Sequence, residues 1–467
     1  MSTRHEGRGP HWLSGIVVGA FAQVAFAQVD LISAWDAAQR MDSTFAAAGA
    51  ELQAGQARGR QGRALFLPTV TVSGSVGYGN GQQNMSGAQF TAPGFGTVNG
   101  VEFRTDIHDG TATGWRVTAQ QPIYNAELQA NARQLALQSD MAELQFRAAH
   151  QDLMLRTARI YFEVLLAEDA LEEIRRQAAA TDRALKVAKE SFEEGKSPVT
   201  DRNEAQARYD DIVAQEALAR DDLELKRAAF FDLTGLPADH LKRIAADTAL
   251  RAFDAGKLEQ WIAKAGDGSP LISAKALARD IAAQEARKFG ALSSPTLALV
   301  AQAGGDRLSG NGSFGTSSIV SSNSGVISVQ LSVPLFTGGL RSARNEEAVA
   351  LADRAQFDTD ATRKAVIQQT RSAWLGTTSG LARIRARERA LDSATARLDA
   401  TEIGHEVGAR TTLDLLNAQA DLFRAQRALQ QVKYQVLLDR LTLAKAAGEL
   451  SVADLQSVNA NLAPATN

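Results

Sequence analysis

The chain has 467 residues, with 50 basic and 53 acidic side chains and a formal net charge of −3. That balance gives no reason to expect a nucleic-acid partner. There is no cysteine, which excludes disulfides, thiolate metal sites, a cysteine nucleophile and a lipidated cysteine behind a signal peptide.

At the N-terminus, Arg4 and Arg8 precede the apolar run LSGIVVGAFAQVAFA (13–27), which ends in Ala25-Phe26-Ala27. This is the pattern of a secretory signal peptide over 1–27, with Gln28 as the mature start; an earlier cut after Ala22 also fits. The run falls short of the ~20 residues a spanning helix needs, which argues against an uncleaved anchor. Removing Arg4, Glu6 and Arg8 takes away a net +1, so the mature chain carries −3 − 1 = −4. No later run is apolar enough to span as a helix, so a membrane crossing must use strands.

A helix is predicted over about 31–64, followed by a strand over 67–79. In PTVTVSGSVGY (68–78), Val70, Val72, Val76 and Tyr78 fall on one face, and Thr69, Thr71, Ser73 and Ser75 on the other. Gly79 to Gly114 is rich in glycine and serine and reads as a long hairpin loop. WRVTAQQPIY (115–124) resumes the alternation in a strand over 114–125. From Asn125 to Glu194 there are 70 residues without proline or glycine, ~105 Å as one helix. Within them Leu137, Met141, Leu144, Ala148, Gln151, Leu155, Ala158, Phe162 and Leu165 repeat in steps of four and three, the mark of a coiled-coil seam. Ser197-Pro198 breaks the pattern, and a second helix runs over about 199–233, closed by Gly235-Leu236-Pro237.

The second half repeats the plan. A helix is expected over about 270–290, strands over 294–304 and 325–337, and a loop from Gly304 to Gly325 between them. Strand faces again alternate, with Leu297, Leu299 and Ala301 in one and Ile327, Val329 and Leu331 in the other. A long helix then runs over about 339–403, with Ile384, Leu391 and Leu398 spaced by seven. After a break at 404–408, a return helix reaches about Ala447.

EEGKSPVTDRNEAQARY (193–209) and EVGARTTLDLLNAQADL (406–422) fix the register of the repetition. Gly195 answers Gly408, 408 − 195 = 213; Asp201 answers Asp414, the AQA at 205–207 answers that at 418–420, and Gly235 answers Gly448, all at 213. A repeat of that length is half a protein. The expected organisation is a first repeat over 28–247, a second over 248–460, and a tail at 461–467. Ten-residue strands with one apolar and one polar face suit a tilted crossing of a bilayer. Four strands cannot close a barrel, and open edges are not tolerated in lipid, so a membrane barrel would have to be shared between chains.

At this point the sequence resembles the TolC family of outer-membrane efflux and secretion proteins. The resemblance covers nearly the whole mature chain. It is strongest over 398–450 and in LFLPTVTVSGSVGYG (65–79) and LSVPLFTGG (331–339). It implies an internally duplicated α+β membrane protein: a homotrimer with a 12-stranded transmembrane β-barrel, three chains times four strands, continuing into a long periplasmic α-helical coiled-coil tunnel. The mixed region at the tunnel's waist would be 236–270 plus the C-terminal tail. The implied partners are outer-membrane lipid, a periplasmic adaptor (membrane fusion) protein, and an inner-membrane ABC transporter or proton-driven pump. Its location would be the outer membrane of a Gram-negative bacterium. The implied activity is export, of a polypeptide by type I secretion or of drugs and other small molecules by efflux.

The two breaks would then be the periplasmic tips. The resemblance makes Gly195, Lys196, Val407, Gly408 and Ala409 the adaptor-docking residues, and glycine suits such turns because it tolerates positive φ. Ordinary helix capping, with Thr200 or Thr411 as N-cap, is the alternative. For the gate, the resemblance implies that Arg410 bonds to the neighbouring hairpin at Asp201 and Thr200, and that Asp414 forms a ring of carboxylates. Asn417 stands where a second such ring is common, and His405 where a tyrosine supports the lock, placing a titratable group beside Arg410. An enzyme finds no footing: His5, His11, His108, His150, His240 and His405 include no pair at metal-ligand spacing, and no cofactor is expected.

Overall fold

Alternation of apolar and polar side chains writes the sheet, and glycine and proline punctuate the helices that carry it. The computed structural model describes residues 29–244, 255–290, 295–312 and 315–463. The expected signal segment, its cleavage site and the boundary between the two repeats lie outside the described residues.

The chain opens with α1 (Leu31–Met41) and α2 (Ser43–Ala64). One helix was expected over 31–64; the structure has two, because Asp42 adopts an extended backbone and its carboxylate accepts from the Phe45 N–H at 3.0 Å. Two strands follow, β1 (Thr69–Ala92) and β2 (Gly96–Tyr124), joined by a tight turn. The segment 79–114 is therefore strand, not a loop. The second hairpin shows the same correction: β4 (Thr296–Gly312) and β5 (Gly315–Ser332) run through most of 304–325, and β5 stops at Ser332 rather than near 337. Threonine, serine and glycine satisfy the ladder with backbone groups, so a strand persists there without an apolar alternation to announce it. The sheet order is β1-β2-β4-β5, antiparallel throughout, with β1 and β5 as free edges.

Between the hairpins run α3 (Ala126–Glu193), α4 (Val199–Thr234), the short strand β3 (Arg243–Ile244), α5 (Leu258–Gly268) and α6 (Pro270–Gly290). Helix α3 has 68 residues, about 102 Å at 1.5 Å each. The long helix expected over 339–403 is instead α7 (Leu340–Thr378) and α8 (Gly380–Glu406), with a break at Ser379, whose hydroxyl turns back to the Leu375 carbonyl at 2.6 Å. The chain ends with α9 (Thr412–Ala446), α10 (Val452–Asn459) and β6 (Leu462–Ala463).

The seam of α3 is half-buried near the sheet and closes from Gln151 on: Leu155, Ala158, Phe162 and Leu165 are buried. Gln151, the one polar seam position, donates to the Gly448 carbonyl at 2.8 Å. The main core gathers Leu31, Trp35, Phe162, Phe230, Tyr434 and Leu455 at the waist. Phe162 and Tyr434 lie 5.0 Å apart between α3 and α9. Residues 236–244 and the C-terminal stretch meet there, since β3 pairs with β6. Among the described residues no helix is long and apolar enough to cross a membrane. The sheet offers a crossing surface instead. Val70, Val72, Val76, Tyr78, Trp115 and Val117 share one face by register, and all but the half-buried Val117 are largely exposed. Thr69, Thr71, Ser73, Ser75 and Arg116 line the other.

Candidate functional site: two helical hairpin tips

The turn from α3 to α4 closes on three backbone hydrogen bonds. Gly195 N–H donates to Phe192 O at 2.9 Å, Lys196 N–H to Ser191 O at 2.8 Å, and Ser197 N–H to Ser191 O at 3.2 Å. The turn from α8 to α9 makes the same three: Gly408 to His405 O at 3.0 Å, Ala409 to Gly404 O at 2.7 Å, and Arg410 to Gly404 O at 3.0 Å. Donors and acceptors are all offset by 213 (408 − 195, 404 − 191). Gly195 has φ +71° and Gly408 φ +74°, a region where a side chain is strained. Both positions have open space around them, so backbone conformation, not crowding, demands glycine.

The side chains differ. In the first tip Pro198 is the N-cap of α4 and supplies no side-chain bond. Thr200, one of the two expected N-caps, lies inside the helix and donates to the Asp201 carboxylate at 3.3 Å. Lys196 pairs with Glu194 at 2.5 Å, both well exposed, and the Arg202 guanidinium sits 4.7 Å from the Phe192 ring centre.

In the second tip Thr411 is the N-cap, as expected, in a reciprocal box. Its hydroxyl accepts from Asp414 N–H at 3.1 Å, and the Asp414 carboxylate accepts from Thr411 N–H at 3.0 Å. Those bonds hold the exposed Asp414 carboxyl below the usual carboxylate range, with Arg410 adding a smaller pull. His405 Nε2 lies 3.2 Å from Thr412 Oγ1. The stem of Arg410 lies over Gly404, where a Cβ would come within 2.7 Å of Arg410 Cγ. Val407 is 74 % exposed at the apex.

The structure brings Asp414, Arg410 and His405 into one turn, and Lys196, Thr200 and Asp201 into the other. Among the described residues no hydrogen bond or ion pair joins Arg410 to Asp201 or Thr200 within the chain. Near the tips a link between the hairpins runs through Asn417, whose side-chain oxygen accepts from Arg208 at 3.4 Å.

Sequence reasoning missed an acidic girdle farther up α3. Glu168 accepts from Arg227 at 3.0 Å and from Arg243 at 2.8 Å, and Asp169 from Arg243 at 2.9 Å. Glu173, with Arg427 of α9 at 3.4 Å, is 7 % exposed. Burial raises Asp169 to about 6 and Glu173 to about 7, against the opposing pull of those arginines. The signal available was the acid-rich stretch Glu168, Asp169, Glu172 and Glu173 on a helix with a buried seam.

The profile of outer membrane efflux proteins matches residues 35–236 and 261–449. The outer membrane protein TolC of Vibrio cholerae is 34 % identical over 329 residues, 69 % of this chain and 73 % of that protein. The alkaline protease secretion protein AprF of Pseudomonas aeruginosa is 29 % identical over 452 residues, 96 % of this chain and 90 % of that one. The crystal structure of the outer membrane protein VceC from Vibrio cholerae has the same fold: TM-score 0.68 at 18 % identity, covering 90 % of this chain and 96 % of that one. Matched along both halves, with a four-stranded sheet on long helical hairpins, this chain belongs to the outer membrane efflux protein family, whose members are transport channels of the outer membrane rather than enzymes.

Proposed function

We propose that this chain is the outer-membrane duct of a type I secretion system, carrying a polypeptide such as a toxin from a periplasmic adaptor and an inner-membrane ABC transporter to the outside. The observation that carries the duct is the sheet: four strands, one apolar exposed face, and two free edges. Free edges cannot face lipid. Three copies joined edge to edge give a barrel of 12 strands, with the long helices continuing as a coiled-coil tunnel into the periplasm. The two halves, 28–247 and 248–460, act as repeats of one design. The similarity to a protease secretion protein over 96 % of the chain supports a polypeptide cargo. Efflux of small molecules, with an ABC or proton-driven pump, is the second reading, favoured by the description of the family.

In this reading Gly195, Lys196, Val407, Gly408 and Ala409 form the surface on which the adaptor docks. Arg410, whose guanidinium makes no hydrogen bond to Asp201 or Thr200 among the described residues of its own chain, meets both on the first hairpin of an adjacent copy and holds the mouth shut. A charge-assisted arginine–carboxylate bond suits that role, although exposure to solvent reduces its strength. Asp414, His405 and Asn417 set the charge of the opening.

Two measurements test this. Native mass of the detergent-solubilised protein should give a trimer; a monodisperse monomer with full strand content would overturn the barrel. Deleting the gene should remove one polypeptide from the medium and leave drug susceptibility unchanged. Heightened susceptibility with an unaltered set of secreted proteins would replace secretion with efflux.

A further inference from the structure

The hairpin β1–β2 is longer than the sheet it belongs to. Pairing of β2 with β4 ends at Ile107↔Gly312, but β1 and β2 stay paired as far as Ala92↔Gly96. Residues 82–92 and 96–106 thus form a two-stranded ribbon, roughly 36 Å long at about 3.3 Å per residue. A two-stranded ribbon is marginal in water on its own.

The polarity of the two faces inverts along this hairpin. One face of the membrane section is polar: Thr69, Thr71, Ser73 and Ser75 with Gln120, Thr118 and Arg116. The same face continues through Gly79↔Gly110 and Gly81↔Ile107 to Met85↔Phe103, Ala88↔Val101 and Phe90↔Val98. Past one polar pair, Gln83↔Thr105, it becomes apolar along the ribbon. The other face does the reverse, from Val70, Val72, Val76 and Tyr78 to Gln82, Asn84, Gln89, Glu102 and Arg104.

Bulges maintain the inversion. Met85 to Ala88 is three steps along the chain against two on β2, and Val98 to Val101 is three against two on β1, with Gly87 at φ +78° and Gly100 at φ +77°. Each extra residue restores to one face apolar side chains that plain alternation would place on opposite faces. The rings of Phe90 and Phe103 lie 6.4 Å apart, yet they remain 47 % and 40 % exposed. Met85 and Val98 are also more than half exposed. A contiguous apolar face of this kind marks a contact surface.

We infer that the apolar face of this ribbon meets the same face of two other copies over the barrel axis, forming an apolar constriction at the extracellular mouth. The inference rests on the trimeric barrel proposed above. The occupant follows from continuity of face: the apolar residues share a face with the polar lining, which in a barrel with its apolar side toward lipid looks at the pore axis. Lipid and a partner approaching from outside would meet the polar face instead. Among the described residues no other strand of the same chain pairs with the ribbon, since the pairing of β2 with β4 ends at Gly312. A ring of apolar side chains closes a pore by excluding water rather than by charge, unlike the polar tips at the other end.

The absence of cysteine makes the test clean. Ala88→Cys and Val101→Cys, made singly in the full-length protein and oxidised in native outer membranes or bridged with a short bis-maleimide, should yield linked dimers. At most two of three chains per trimer can pair. Gln89→Cys and Glu102→Cys, on the polar face, should stay at background, and Phe95→Cys at the turn should link if either inner variant fails to assemble. Trimers that form but link equally from both faces, or from neither, overturn the inference while leaving the trimer intact. A monomer by native mass would overturn the trimeric reading, and this inference with it.

Discussion

The two tips share a backbone and differ in what their side chains are committed to. In the second, Thr411 and Asp414 are bound to each other and to the first turn of α9. In the first, Pro198 starts α4 with its fixed φ and no side-chain cap; the Asp201 carboxylate accepts from its neighbour Thr200, and its N–H donates to the Pro198 carbonyl at 3.2 Å. Beyond the three backbone bonds that both turns share, the second is thus held by a side-chain box and the first by a proline ring. The difference extends up the hairpins. Asp169 and Glu173 of α3 correspond, at 213, to Ala382 and Ala386 of α8, so the buried acids belong to one hairpin alone. What the two tips have in common is the geometry of the turn, and what differs is the charge placed around it.

The largest expected effect breaks what the tips share. Gly408→Val or Gly195→Val forces a branched residue to positive φ, a strain of about 1–2 kcal/mol per turn. Export should be abolished while the trimer still assembles and inserts; wild-type export in both variants would make the turns mere caps. Next comes the proposed contact between unlike tips. Arg410→Ser or Asp201→Ala should raise single-channel conductance severalfold, and the double variant should add little, because both remove one interaction. Additive effects would show the two residues acting separately. A smaller effect isolates the asymmetry of the caps. Thr411→Ala should lower stability by about 1 kcal/mol, and Thr200→Ala by less than about 0.5 kcal/mol, read from thermal midpoints or protease nicking at each turn. Equal losses would erase the distinction drawn here.

The smallest effect is a pH slope. Asp169 and Glu173 have folded values of about 6 and about 7, above the ordinary 3.8 and 4.5 of an aspartate and a glutamate. Between those limits the folded chain binds more protons than the unfolded chain, so stability falls as pH rises from about 4 to about 7 and stays low above. Glu173→Gln should flatten the upper part of that slope in thermal midpoints of the solubilised protein. An unaltered slope would assign the titration elsewhere. Asp414 runs the other way: its lowered value makes its contribution present above about 3.8 and lost only as pH falls through the folded value.

Much of this was legible in the sequence because glycine and proline mark turns by backbone restriction alone. Gly195, Pro198, Gly235, Gly408 and Gly448 located both tips and both helix ends. The seam of α3 was legible because its period is uninterrupted. The breaks at Asp42 and Ser379 were not, although Asp42-Ser43 is a capping signal and Gly376-Thr377-Thr378-Ser379-Gly380 is poor helix sequence. In both places the flanking apolar pattern continued. The strands were read short for a related reason: bulges at Gly87 and Gly100 destroy the alternation by which a strand is recognised, while preserving the face it presents. The girdle on α3 could not be read as buried, because its burial depends on Arg243 and Arg427, distant in the chain.

The waist joins four distant stretches. Tyr161 donates to the carbonyls of Val29 and Lys242 at 3.0 and 2.9 Å, Leu31 N–H to the Asn459 side chain at 3.1 Å, and β3 pairs with β6. Ile244 and Leu462 are 462 − 244 = 218 residues apart, a closure whose entropic cost grows only slowly with length but which no local contact can begin. Folding therefore has a fixed timetable here. The hairpins can coil as soon as each is complete, but the girdle between them is fastened only when the stretch around Leu462 arrives, so a chain cut before α10 would carry formed helices around an unfastened middle.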